Sequence, residues 1–152
     1  MFTDNNSVLG GYSSHKLEIT GIGGKKKGDE TSIQTAIRET VEELFEFEEI
    51  PNELLEFLFI NLTFNTVFSR GGYSTYVMDF QYDLELILDS IHRYSLKSRV
   101  YDPLPQTLAD LLLKRKHNVN AEFSHLVLLP FARTIDIAGC FLNDIRHLKP
   151  IQ

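Results

Sequence analysis

The sequence predicts a mixed α/β (α+β) domain, and three observations lead there. Runs that alternate apolar and polar residues, as half-buried strands do, are interspersed with runs of helical periodicity. Two neighbouring β-rich runs flank Arg70-Gly71-Gly72 and read as a hairpin. The length, 152 residues, suits one buried core, so residues 1–152 read as a single domain.

The elements follow in order. Residues 16–22 alternate like a strand and are broken by Gly21, Gly23 and Gly24. Thr31 and Gln34 have the spacing of a capping box, with Asp29 and Glu30 beside the positive helix end. A helix over 32–49 follows, stopped by Pro51. The hairpin strands are expected at 55–69 and 73–82. Residues 83–94 and 104–116 look helical, with Asp102-Pro103-Leu104-Pro105 as a break. Residues 123–130 read as another strand and 134–148 as a terminal helix. No internal repeat, low-complexity stretch or linker interrupts the chain.

Bulk properties exclude several classes. No apolar run reaches the roughly 18 residues of a bilayer span, so no membrane partner is expected. The opening Met1-Phe2-Thr3-Asp4-Asn5-Asn6 is neither basic nor apolar, unlike a secretory signal. The lone cysteine, Cys140, has no partner for an internal disulfide or a zinc site. It reads as a small core residue in a reducing, intracellular (cytoplasmic) setting. A net charge of −6 argues against a protein whose whole surface grips nucleic acid. Two local basic runs remain, Lys25-Lys26-Lys27 and Lys114-Arg115-Lys116-His117, and the second reads as an ordinary solvated run.

The chemistry concentrates on the first helix. Ile33, Ala36, Ile37, Val41 and Leu44 recur at three- and four-residue steps and form one apolar face. Glu39, Glu42, Glu43 and Glu46 stack on another side, where like charges repel by a few tenths of a kcal/mol per adjacent pair. Arg38 can offset part of that charge and a bound divalent cation more, since hard carboxylate oxygens are what Mg²⁺ requires. The competing reading is a merely solvated acidic face.

Joined to the loop before it, the helix becomes specific. Gly24, five residues, Glu30, seven residues, then Arg38-Glu39-Thr40-Val41-Glu42-Glu43 resembles the signature of the Nudix hydrolases. The likeness covers residues 24–43. It departs from the signature at three positions: Thr40 stands where an aliphatic residue is usual, Phe45 replaces a glycine, and Glu46 replaces the last aliphatic position. Every charged position of the signature is present.

The resemblance implies a mixed β-sheet sandwiched between α-helices, here with a shortened N-terminal lead-in. It implies Glu39, Glu42 and Glu43 as ligands of Mg²⁺ or Mn²⁺, with the Gly23 carbonyl as a further ligand. It makes Arg38 the residue that orients the glutamates, and Gly24 and Glu30 structural members of the motif. The implied activity is hydrolysis of a diphosphate linkage in a nucleoside diphosphate joined to another moiety. Glu42 or Glu43 could take the proton of the attacking water, or Glu122 from a separate loop could do so. Lys25, Lys26 and Lys27 either contact extra substrate phosphates or are solvated. Phe64, Phe68, Tyr73 and Tyr76 could stack on a base, although strand aromatics more often pack a core. His92, His117, His125 and His147 show no ligand spacing.

Within that chemistry the substrate could be a nucleoside triphosphate, a nucleotide sugar or dinucleotide, an inositol pyrophosphate, or a capped RNA end. The short lead-in leaves room for a homodimer partner to complete the substrate pocket. The rival of another class is a non-catalytic nucleotide- or RNA-binding module of the same fold. A structural or interaction protein with an acidic helix comes last, because it ignores the loop spacing.

Overall fold

The structure, a computed structural model, describes residues 1–4, 6–131, 141 and 145. Among them, six strands form one mixed sheet: β1 (Phe2–Thr3), β2 (Ser7–Ser13), β3 (Glu18–Thr20), β4 (Thr66–Arg70), β5 (Tyr73–Asp79) and β6 (His125–Pro130). The order is β3-β2-β1-β5-β4, with β6 along β2. β1 runs parallel to β5, pairing Phe2 with Met78, and the remaining described pairings are antiparallel. The helices are α1 (Ser32–Phe45), α2 (Asn52–Asn61), α3 (Glu85–Ile91), which continues from a π-helical turn at Phe80–Leu84, and α4 (Leu108–Leu113).

Successive strand residues point to opposite faces, so β2, β5 and β6 each feed two cores. Phe2, Leu9, Met78 and Leu126 join the larger cluster with Ile37, Val41 and Leu44 of α1, Leu54 and Leu58 of α2, and Ile87, Leu88 and Ile91 of α3. Met1, Val8, Val77 and Leu129 join the second cluster with Ile19, Phe141 and Ile145. The sheet is therefore buried on both faces, and α1 is anchored by its apolar stripe with its acidic side left toward the loops.

The mixed α/β class and most elements agree with the sequence, and four details differ. α1 ends at Phe45 rather than near Glu49, with Glu46 in the left-handed conformation at φ 48°. The reason is tertiary. Ser98 donates its hydroxyl to the Phe45 carbonyl, and Arg115 donates to the carbonyls of Leu44 at 2.6 Å and Glu43 at 3.2 Å, so the last-turn acceptors are satisfied without more helix. The run expected as strand at 55–69 opens instead as α2, whose Leu54 and Leu58 lie one turn apart and are both fully buried. Short apolar runs are ambiguous between strand and helix, and here the i, i+4 pair decides.

The third difference is β2, which its Gly10-Gly11 pair conceals. It is buried along most of its length, and a Cβ on Gly11 would fall 2.2 Å from the Phe123 ring, so the glycine admits that ring against the strand. The fourth is helix length: the helices expected at 83–94 and 104–116 shrink to α3, with its π-helical lead, and α4. Of the helix expected at 134–148, Phe141 and Ile145 are described. Cys140 and His147 lie outside the described residues.

Candidate functional site

The site begins with the helix start. Thr31 accepts from the Gln34 N–H at 3.3 Å while the Gln34 side chain accepts from the Thr31 N–H at 2.8 Å, the reciprocal cap that the sequence predicts. Two turns later Arg38 is buried, with 8% of its side chain exposed. Its guanidinium grips Glu30 with two bonds, Nε to Oε1 at 2.6 Å and Nη2 to Oε2 at 3.1 Å. Nη1 donates to Glu39 and to Glu42, both at 2.7 Å, and Nη2 also donates to the Lys25 carbonyl at 2.9 Å. A planar fork with five N–H donors suits that task where a lysine ammonium would not.

Glu30 completes the lock by accepting from the Lys27 N–H and the Thr35 hydroxyl, each at 3.0 Å. The Arg38 bonds hold the Glu30 carboxyl down at about 2, and Glu30 followed by Glu39 holds the Arg38 guanidinium above its ordinary value. The ammonium of Lys27 lies 3.0 Å from Glu42. Gly24 is required by close approach, since a Cβ there would lie 2.3 Å from the Glu39 carboxyl carbon. The loop thus closes over the helix through Glu30, Arg38 and Glu39 together.

The second half of the acidic stripe has no such cation. Glu43 is 7% exposed and accepts one bond there, from the Gly23 N–H at 2.8 Å. Burial pushes its carboxyl up to about 8, the Gly23 bond opposes this, and the neighbouring carboxylates of Glu122, Glu39 and Glu46 add to the rise. Glu122 arrives on the loop before β6, where its N–H donates to the Glu46 carboxylate at 2.9 Å. Arg38, Glu39, Glu42, Glu43, Glu46 and Glu122 line one open cavity of about 540 Å³, whose lining also includes the carboxylates of Glu48 and Glu49, the apolar Phe47, Ile50 and Leu55, and Arg99.

The sequence-derived candidates therefore separate. Arg38, Glu39, Glu42, Glu43 and Glu122 converge on the cavity, while Gly24 and Glu30 form the lock beside it. Gly23 meets Glu43 through its N–H. Lys27 turns to Glu42, whereas Lys25 and Lys26 are exposed and do not line the cavity. The solvated-face reading of α1 fails, because Glu39, Glu42 and Glu46 are partly covered and Glu43 is buried. His92 bonds the Pro105 carbonyl at 3.0 Å and His125 the Ser124 hydroxyl at 3.0 Å, both away from the cavity lining. The basic run at 114–117 was not wholly solvated: Arg115 turns inward to backbone carbonyls. No local signal marks Arg115 for that position.

Can these residues hold a divalent cation? The donors are hard carboxylate oxygens, the right chemistry for Mg²⁺ or Mn²⁺. Glu43 is the informative one: a buried carboxyl facing three others with no cationic partner of its own is a group that a cation would relieve. Among the described residues no three acidic, histidine or cysteine side chains close into a preformed cage. Mg²⁺ seldom needs one, since it completes its shell with waters and substrate oxygens. No family model, curated protein or solved structure matches the chain. Among the described residues no helix is long and apolar enough to cross a membrane.

Proposed function

We propose that the chain is a Mg²⁺- or Mn²⁺-dependent hydrolase of diphosphate linkages, acting on a nucleoside diphosphate joined to another moiety and resembling the Nudix hydrolases. One observation carries the reading. Residues scattered over 24–43 in the signature-like pattern meet around Arg38 on the wall of a cavity, and Glu43 is buried in the same cavity with no ion-pair partner among the described residues. Glu39, Glu42 and Glu43 would hold the cation, with the Gly23 carbonyl as a further donor. When bound, such an ion supplies neutralisation of the diphosphate oxygens and acidification of water.

The chain's own residues do the rest. Arg38 fixes the rotamers of Glu39 and Glu42, so their outer oxygens keep a constant spacing. Gly23 holds Glu43 through its N–H. Glu42, Glu43 and Glu122 are the carboxylates able to accept a proton from an attacking water, and Glu122 is the one of them that is not also a proposed cation ligand. Arg99, whose backbone N–H donates to the Glu46 carbonyl at 3.0 Å, is a cation of the cavity lining with no carboxylate partner within 4.0 Å among the described residues, and it is suited to an anionic group of the substrate.

A specific observation favours one second reading, a binding module that keeps the fold without turnover. Glu39 and Glu42 already give oxygens to Arg38, and Glu42 also faces Lys27, so part of the donor set is engaged internally. Hydrolysis separates the two. A panel holding a nucleoside triphosphate, a nucleotide sugar, a dinucleotide, an inositol pyrophosphate and a capped RNA is incubated with Mg²⁺ or Mn²⁺ and either the native chain or Glu43→Gln. The enzyme splits at least one compound at its diphosphate linkage and loses that activity in the variant. Water adds to one phosphorus and the other phosphorylated fragment leaves, so that both phosphorylated products are released. Equal release by both proteins rejects the reading, and metal binding without release by either supports the module.

A further inference from the structure

We propose that Glu46 and Arg115 are positioning residues that dock the backbone of residues 122–123 on the end of α1, and so place Glu122 on the wall of the carboxylate cavity from a second segment of the chain. The inference rests on the hydrolase reading for its catalytic consequence, and on geometry alone for its structural one. Glu122 belongs to a loop far from α1 in sequence. Nothing in residues 118–123 is helix or strand, so the direction of this carboxylate must be fixed from outside the loop.

Two ties do so. The first is the Glu122 N–H, which donates to Glu46 Oε1 at 2.9 Å. Glu46 can receive it because α1 ends one residue earlier and its left-handed backbone turns the side chain off the helix ridge. The second is Arg115. Its Nη2 spans the carbonyls of Glu43 at 3.2 Å and Phe123 at 3.1 Å, Nη1 reaches the Leu44 carbonyl at 2.6 Å, and Nε returns to Phe123 at 3.2 Å. Its guanidinium also lies 5.6 Å over the Tyr101 ring. One side chain therefore joins Glu43, whose carboxyl is buried, to the neighbour of Glu122, whose carboxylate is exposed. Without these ties the exposed Glu122 side chain would be held among the described residues only by its ion pair with Lys16, at 3.8 Å, which is too exposed to fix it.

The full chain is tested as a pair of variants that remove the same charge. Glu46→Gln keeps an oxygen able to accept the Glu122 N–H, and Glu46→Ala does not. Three readouts follow: hydrogen exchange at the Glu122 amide, affinity for Mn²⁺, and kcat and KM on whichever diphosphate the native chain hydrolyses. The expectation is that E46A, relative to E46Q, exchanges the Glu122 amide at least about tenfold faster. It also binds Mn²⁺ about threefold or more weakly, and loses about tenfold in kcat with KM little changed. Arg115→Lys, which keeps the charge but not the fork, shifts Mn²⁺ affinity and kcat in the same direction. Equal exchange and equal Mn²⁺ affinity in E46A and E46Q would overturn the proposal. If those two readouts differ as expected while the native chain hydrolyses no diphosphate, positioning stands and the hydrolase reading fails.

Discussion

The two halves of the acidic stripe on α1 use the same residue type for opposite ends. Toward its start, Glu30, Glu39 and Glu42 surround Arg38, with Lys27 outside, and Glu30 stays ionised down to about pH 2. Toward its end, Glu43 and Glu46 have no ion-pair partner among the described residues, Glu122 beside them has only the exposed Lys16 at 3.8 Å, and burial raises Glu43 to about 8. A carboxylate's role is thus set by its partners rather than by its place in the pattern. The first half is a lock that shapes the loop, and the second is an acidic pocket that a cation would relieve under the proposed reading.

The largest effect should come from breaking the lock. Arg38→Ala leaves three carboxylates around a buried vacancy and should cost about 3 kcal/mol, read as a lower urea midpoint with an unchanged m-value. Arg38→Lys should recover only part of that. A fully stable R38A would remove the distinction between the halves.

Next is a pH effect of opposite sign in each half. The folded Glu43 carboxyl holds its proton between its ordinary value of 4.5 and about 8, where an unfolded one does not, so metal-free stability falls as pH rises through that window. A loss on the order of 2 kcal/mol between pH 5 and 8, abolished in Glu43→Gln, is expected by thermal unfolding in chelator. The Glu30 contribution behaves inversely, being present above 4.5 and lost only as pH falls toward about 2. If stability in chelator rises from pH 5 to 8, the second half is not the uncompensated one.

A smaller effect tests the contact between loop and helix. Gly24→Ala drives a methyl into the Glu39 carboxyl and should cost about 1–2 kcal/mol while also weakening Mn²⁺ binding. Loss of stability with unchanged Mn²⁺ affinity would separate Glu39 from the cation. The smallest change is expected at Lys25 and Lys26. Their replacement by Ala should shift unfolding by no more than about 0.5 kcal/mol, because both are exposed and make no ion pair among the described residues.

Local chemistry was legible in the sequence, and distant partnership was not. The Thr31–Gln34 cap, the apolar stripe of α1 and the turn at Arg70-Gly71-Gly72 depend on residues a few positions apart, and each stands where its spacing predicts. The end of α1 depends on Ser98 and Arg115, more than fifty residues away, which cap carbonyls that no neighbouring residue could reach. β2 was concealed because its Gly11 answers to Phe123, also remote in the chain. The charged members of the site were readable as a pattern. That Arg38 would be buried and divided among three glutamates, and that Glu122 would close the cavity through Glu46, followed only from the fold.

The central claim is that the uncompensated carboxylates take a divalent cation. Titration of the native chain with Mn²⁺, followed by the electron paramagnetic resonance of the free ion at pH 8 and pH 6, tests it most directly. Saturable binding that tightens at pH 8, and weakens about tenfold or more in Glu43→Gln, is the predicted result. Indistinguishable isotherms for the two proteins at both pH values would contradict it.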